Sequence, residues 1–222
     1  ARLDMDAARS RKGYVKILGD FEKGKTDILI GTQMISKGLD FSNVSVVGII
    51  NADNLLHFPD FRSFERSFQL MTQVSGRAGR SKEQGLVVIQ SFDPSHRVIQ
   101  QVLQNNYLGL YDKELRERRE FAYPPFTRLI RITLKHKDTE LVGRCAHLFA
   151  KELRSRWTTK ILGPQAPGIS RIQQYHLRQI LIKSAKGKEH TQIRQHIRLL
   201  VQKMSQDKTF RSVIIQPDVD PV

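Results

Sequence analysis

Two arginines three residues apart, Arg77 and Arg80, close the run Gln73-Val74-Ser75-Gly76-Arg77-Ala78-Gly79-Arg80. Residues at that spacing lie on one side of a helix-like turn, and Gly76 and Gly79 let backbone come close to a ligand. A guanidinium keeps its charge and presents a planar fork of donors that matches a phosphate. A pair brought to a γ-phosphate would offset the charge that builds up in phosphoryl transfer, as an arginine finger does. A solvated basic turn has the same composition, so this run alone leaves both readings open.

A second stretch, Gly31-Thr32-Gln33-Met34-Ile35-Ser36-Lys37-Gly38-Leu39-Asp40-Phe41, follows Ile28-Leu29-Ile30, which reads as a short buried strand. Polar residues at the carboxyl end of a buried parallel strand sit where open α/β sheets bind ligands. Thr32 and Lys37, with Gln33 between them, are candidates for a nucleic-acid phosphate; Gly38 and Asp40 are candidates for a nucleotide ribose. A ligand-free connecting loop is the equal alternative.

Gly19-Asp20-Phe21-Glu22-Lys23-Gly24-Lys25-Thr26 matches the phosphate-binding pattern G-x-x-x-x-G-K-[ST]. Such a loop works because it follows a strand and opens a helix, whose first amides face the anion. Here the helical spacing Tyr14, Ile17, Leu18, Phe21 comes before it and the strand comes after. The polarity is reversed, and the segment is expected to be a helix-to-strand turn.

The elements that must hold these residues follow from periodicity. Phe61, Phe64, Phe68 and Met71 step by three and four, which predicts a helix through 62–73 that ends on the arginine run. Val44–Ile50 and Leu86–Ile89 read as further short apolar strands, and Val98–Leu103 as a helix. Helices alternating with wholly apolar strands mean an α/β layer with a mostly parallel sheet. Residues 106–122 are charged and helix-prone and end at Tyr123-Pro124-Pro125-Phe126, where two prolines stop a helix. The second half has another rhythm: strand Leu129–Leu134, helix Leu141–Leu153, strand Ile161-Leu162, strand Leu177–Ile182, helix Ile193–Met204, strand Val213–Ile215. That order is the split βαβ, ferredoxin-like arrangement. Its open sheet face or its loops are expected to carry Arg171, Arg178 and Lys183 towards DNA. The expected division is residues 1–105, a helical linker 106–122, and a basic domain 123–222.

Charge supports a polyanionic partner. The net charge is +15. Residues 1–100 hold 14 Lys+Arg against 11 Asp+Glu, while residues 101–222 hold 23 against 11. The excess lies in the second half, which favours nucleic acid first, and an anionic surface or acidic peptide next. No run of eighteen apolar residues offers a membrane span. Cys145, the single cysteine, excludes an internal disulfide and a multi-cysteine zinc site; its helical neighbours Leu141, Val142, Leu148 and Phe149 make it an inert core thiol in a reducing cytoplasm. The histidines His57, His96, His136 and the rest form no metal spacing. Ala1 in place of an initiating Met, with no signal-like start, is expected of a piece of a longer protein.

Taken together, in this order and at this separation, the Gly31–Phe41 and Gln73–Arg80 stretches resemble motifs V and VI of superfamily 2 helicases. Ser10-Arg11-Lys12-Gly13, Asp60-Phe61-Arg62 with Glu65-Arg66, Tyr123-Pro124-Pro125-Phe126 and Asp218-Val219-Asp220-Pro221 extend the likeness over nearly the whole chain. Within that superfamily it resembles the primosomal replication-restart helicases, the PriA family. The resemblance implies a RecA-like second motor lobe, an ATP-dependent 3′-to-5′ DNA helicase that recognises abandoned replication forks, and a bacterial, nucleoid-associated protein. It implies that Arg77 and Arg80 contact ATP phosphates with Arg80 as the finger, that Gln73 positions nucleotide or water, that Gly76 and Gly79 line the ATP site, that Gly38 and Asp40 lie on the ribose side, and that Thr32, Gln33 and Lys37 touch the tracking strand. It also implies partners: branched and single-stranded DNA, the acidic tail of single-strand-binding protein, and other primosome proteins. ATP and Mg would be completed by a first lobe, and zinc would be held only by an upstream cysteine cluster. The chain by itself is therefore expected to be catalytically silent and to bind DNA weakly. A fork-reversal helicase of the RecG kind shares the arginine motif but not this tail; a stand-alone nucleic-acid-binding or partner-docking module is the reading from another class.

Overall fold

The computed structural model describes residues 1–3, 11–31, 44–78 and 85–221. The chain divides into two units, Ala1–Glu114 and Leu115–Val222. In the first, β1 (Arg2–Leu3) and α1 (Arg11–Glu22) precede β2 (Ile30–Gly31), and β3 (Val46–Ile49) leads through α2 (Asp53–Leu56) and α3 (Ser63–Ser75) to β4 (Leu86–Ile89). α4 (Arg97–Leu103) and α5 (Tyr107–Glu120) follow, α5 running across the division between the units. β1 pairs parallel with β2, and β3 pairs parallel with β4 from Val46 opposite Leu86 to Ile49 opposite Ile89. A parallel pair needs a crossover, and α2 and α3 supply it. The core of this unit gathers Ala52, Leu56, Phe68, Met71, Val98, Ile99 and Leu110.

The buried strand expected at Ile28–Ile30 is corrected. The strand is the two-residue β2, and Ile28 and Ile30 are 67% and 60% exposed. Three apolar residues in a row mark a strand, but only packing decides whether anything covers it.

The phosphate-loop pattern at Gly19–Thr26 ends a helix. Lys25 N–H donates to the Asp20 carbonyl at 2.8 Å and Gly24 N–H to the Phe21 carbonyl at 3.1 Å. That bond pair, with Gly24 at φ +67°, is a Schellman stop, in which only glycine sits without strain. The amides that a phosphate would need are occupied by the helix's own last carbonyls.

The second unit comprises β5 (Arg128–His136), α6 (Thr139–Arg156), β6 (Lys160–Gln165), the short β7 (Arg171–Ile172), β8 (Tyr175–Ser184), α7 (Lys188–Gln206) and β9 (Ile214–Val219). The sheet runs β6-β8-β5-β9, every pairing antiparallel, with β7 paired to β8. Alternation sets the core: Ile130, Ile132 and Leu134 on β5 and Ile180 and Ile182 on β8 are fully buried against Val142, Phe149 and Leu153 of α6 and Ile193 and Met204 of α7. Asp138 caps α6 by accepting from the Glu140 and Leu141 amides at 2.8 and 3.1 Å. Cys145 lies in the core, and burial pushes its thiol up to about 11, so it is chemically quiet at neutral pH.

Candidate nucleotide and nucleic-acid site

α3 is the element that carries the arginine run, and Asp60 fastens its start. Ser63 N–H donates to the Asp60 carbonyl at 3.0 Å, Arg62 N–H to Asp60 Oδ1 at 2.8 Å, and the Arg66 guanidinium pairs with Asp60 Oδ2 at 3.2 Å. Phe64, Phe68 and Met71 face the core of the first unit, while Gln73 stays exposed near the end of the helix. At the end, Gly76 N–H donates to the Thr72 carbonyl at 3.0 Å, Arg77 N–H to Val74 at 3.1 Å and Ala78 N–H to Ser75 at 3.2 Å. The last two, each spanning three residues, tighten the final turn. Gly76 has φ −66°, which any residue adopts, and a methyl there would stand 3.4 Å from the Thr72 carbonyl oxygen. The turn's own conformation does not call for glycine.

Of the other first-half candidates, Thr32, Gln33, Lys37, Gly38, Asp40, Gly79 and Arg80 lie outside the described residues.

The three basic candidates of the second half are not brought onto one surface. Arg171 is exposed on β7 and its Nε donates to the Gln173 carbonyl at 3.1 Å. Arg178 shares the register face of Ile180 and Ile182, the helix-covered face, and reaches Thr139 Oγ1 at the start of α6 at 3.4 Å. Lys183 is on the other face but only 5% exposed. Its Nζ donates to the Phe121 carbonyl at 2.7 Å and lies 3.3 Å from the Tyr123 ring centre. Burial, and after it the charge of Lys160, push its amine down to about 8. Strand alternation places Lys183 away from the core, as its position on the face opposite Ile182 implies, and the end of α5 and the segment after it cover the amine.

Two features escaped the sequence reading. Arg131 and Asp218 face each other across β5 and β9 at 3.0 Å, and Arg128 pairs with Asp220, so the Asp-Val-Asp stretch neutralises part of the strand charge. Exposed pairs of this kind are worth about 0–1 kcal/mol each. The second feature is a shallow groove on α7 lined by Gln195, Arg198, Leu199 and Gln202. Its signal in the sequence is Leu199, an apolar residue on the polar side of an amphipathic helix and 60% exposed.

Two imidazoles in this unit are held neutral. His190 is buried, with Nδ1 2.8 Å from Ser184 Oγ; burial first, then Arg128, lowers it, while Asp220 pulls the other way. His196 accepts the Trp157 indole N–H at 2.9 Å; burial first, then Arg156, lowers it. The unfolded chain takes up protons near the ordinary value of about 6.5, where the folded unit still refuses them. The stability they contribute is complete above that value and is lost as pH falls towards the lowered folded values. The 115–222 unit is expected to melt at a lower temperature at about pH 5.5 than at about pH 7.5, and His196→Gln should flatten that difference. An equal melting temperature at both values, followed by Trp157 fluorescence, would show that neither imidazole is linked to folding.

Comparison with known proteins follows the same division. A family model for the helicase conserved C-terminal domain matches residues 3–82, and one for the primosomal protein N C-terminal domain matches residues 119–222. The chain is 41% identical to a replication restart protein of Bacillus subtilis, named PriA, over 222 residues, 99% of this chain and 27% of that protein. It is 41% identical to the PriA of a Synechocystis species over 185 residues, 82% of the chain and 22% of that protein, and 36% identical to that of Treponema pallidum over 225 residues, 100% and 33%. The chain thus spans about a fifth to a third of the length of these relatives.

Proposed function

The chain belongs to the PriA family of replication restart proteins, matching their C-terminal portion, and from that premise we propose that it supplies the second motor lobe and the basic C-terminal module of an ATP-dependent 3′-to-5′ DNA helicase that engages stalled or abandoned forks. The observation that carries the reading is α3: it delivers the Gln73–Arg77 turn between two parallel strands, inside the segment matched by the helicase model. The parallel pairs of the first unit support a RecA-like lobe. The order β6-β8-β5-β9, built from β-α-β-β-α-β, supports a ferredoxin-like second domain. The proposed division remains 1–105, linker 106–122 and 123–222, with α5 as the linker helix.

In this reading Arg77 and Arg80 bind the ATP phosphates, and Arg80 is the finger that offsets charge in the transition state. Gln73 positions nucleotide or water, and Gly76 and Gly79 let the turn approach. Gly38 and Asp40 meet the ribose, while Thr32, Gln33 and Lys37 hold the tracking strand. Magnesium would sit with the phosphate loop of a first lobe. Among the described residues there is no group of three or more His, Cys, Asp and Glu side chains that could hold a metal ion. Turnover needs both lobes, so the chain alone should hydrolyse no ATP. Arg171 and Arg178 would add phosphate contacts; Lys183 holds the end of α5 instead. A cytoplasmic protein working with other primosome proteins completes the proposal; among the described residues no helix is long and apolar enough to cross a membrane.

A second use of the basic unit is favoured by one observation, the α7 groove. Arg198 beside exposed Leu199 suits the acidic, apolar-ended tail of single-strand-binding protein. Titrating the 115–222 unit with fork DNA and with an acidic Phe-ended peptide separates the two. Weak, sequence-independent DNA binding is expected, its log K falling with log salt by about 0.9 per phosphate neutralised on duplex. Peptide binding with no DNA binding at low salt would leave this unit a docking module only.

A further inference from the structure

Of the four hydroxyls on α3, those of Ser67, Thr72 and Ser75 are treated differently. In a helix a Ser or Thr hydroxyl can bond back to the carbonyl four residues earlier. Ser67 does so, donating to the Ser63 carbonyl at 2.6 Å. Thr72 Oγ1 and Ser75 Oγ do not: both atoms are buried, and among the described residues neither has a hydrogen-bond partner. They lie three apart, each four residues after a core residue, Phe68 and Met71, so they extend the buried stripe to the end of the helix. The next residues are Gly76 and Arg77.

A buried hydroxyl without a partner is costly, and a folded protein keeps few of them. Two in one turn, beside the turn that bears the phosphate-binding arginine, mark a place where the resting state is left unsatisfied. Groups of this kind raise turnover when their bonds form only as the transition state is reached. Resting on the reading of Gln73–Arg80 as the site of a nucleoside triphosphate, we propose that Thr72 and Ser75 are positioning residues: their hydroxyls take up hydrogen bonds when the Gly76–Arg77 turn engages the γ-phosphate, and so hold the arginine in its working place.

The proposal predicts effects of opposite sign on stability and activity. In the full-length protein, Thr72→Val and Ser75→Ala each remove a hydroxyl at nearly constant volume. Without nucleotide, their melting temperatures should equal or exceed that of the unaltered protein, since an unsatisfied polar group is removed. For DNA-stimulated ATP hydrolysis, kcat should fall about tenfold for each, the loss of one net hydrogen bond, with KM for ATP little changed. Thr72→Ser, which restores a hydroxyl, should recover most of kcat. A lowered melting temperature without nucleotide, or misfolding, would mean that the hydroxyls already have partners and overturns the proposal, as does an unchanged kcat. Arg77→Ala measured alongside separates the two layers. If it also leaves kcat unchanged, the nucleotide-site reading fails; if it lowers kcat while the hydroxyl variants do not, only the hydroxyl proposal fails.

Discussion

Replacing Arg80 with Ala in the full-length protein lowers the turnover number for DNA-stimulated ATP hydrolysis by about 10³–10⁵-fold, the range for a finger that stabilises charge in phosphoryl transfer. The reason is where the charge is needed. In the loose transition state, negative charge spreads over the transferred phosphoryl oxygens, and a guanidinium placed there does little for the ground state. Affinity for single-stranded DNA should therefore stay within a few-fold of the unaltered value. Arg77→Ala should resemble it, with a larger rise in KM for ATP. Arg80→Lys keeps the charge but not the planar fork, and should recover only a small part of the loss. The measurements are steady-state ATPase at saturating DNA and a DNA titration without ATP. Near-normal kcat in Arg80→Ala, or loss of DNA binding with kcat retained on bound enzyme, would remove Arg80 from the phosphate site.

Lys183 yields the second large effect, and it is on stability. Its ammonium makes a charged hydrogen bond to the Phe121 carbonyl, just past the last turn of α5, and rests against the Tyr123 ring. A cation at a helix C-terminus meets the negative end of the backbone dipoles, and the aromatic face adds to the attraction. Lys183→Ala strands a carbonyl and opens a void, and should destabilise the 115–222 unit by about 2–3 kcal/mol. Urea unfolding reads the loss as a shift in midpoint without a change in slope. The titration gives a second readout with a definite sign. The folded amine releases its proton near about 8 and the unfolded one near 10.4. Between those values the unfolded chain binds the extra proton, so this group's contribution to stability rises with pH. The difference in unfolding free energy between Lys183 and Lys183→Met forms should widen from pH 8 towards pH 10. The salt dependence of DNA binding should hardly change in either variant. A flattened salt slope with unaltered stability would put Lys183 back on a DNA-facing surface.

Much of the architecture was readable along the chain because its signals are local. The period-two alternation of Ile130, Ile132 and Leu134 and the three-four spacing of Phe64, Phe68 and Met71 depend only on backbone geometry, so β5 and α3 lie where the pattern puts them. The phosphate-loop pattern at Gly19–Thr26 fails for the same kind of reason. Chain polarity is a property of sequence order, and the Schellman stop at Gly24 is its structural consequence. The arginine run and its order relative to the Gly31–Phe41 stretch are properties of the sequence itself, and the proposal that they meet phosphate rests on residue type and short spacing. What the sequence could not decide was which faces are covered. Alternation assigns Lys183 to the face opposite Ile182, but whether that face meets water or the returning end of α5 depends on a contact 62 residues away in the chain. Ile28 and Ile30 read as core and are largely exposed, whereas Thr72 and Ser75 bury hydroxyls that meet no hydrogen-bond partner among the described residues. Local period fixes the direction of a side chain. Burial is settled only when distant segments close upon it, and that is a property of the tertiary structure.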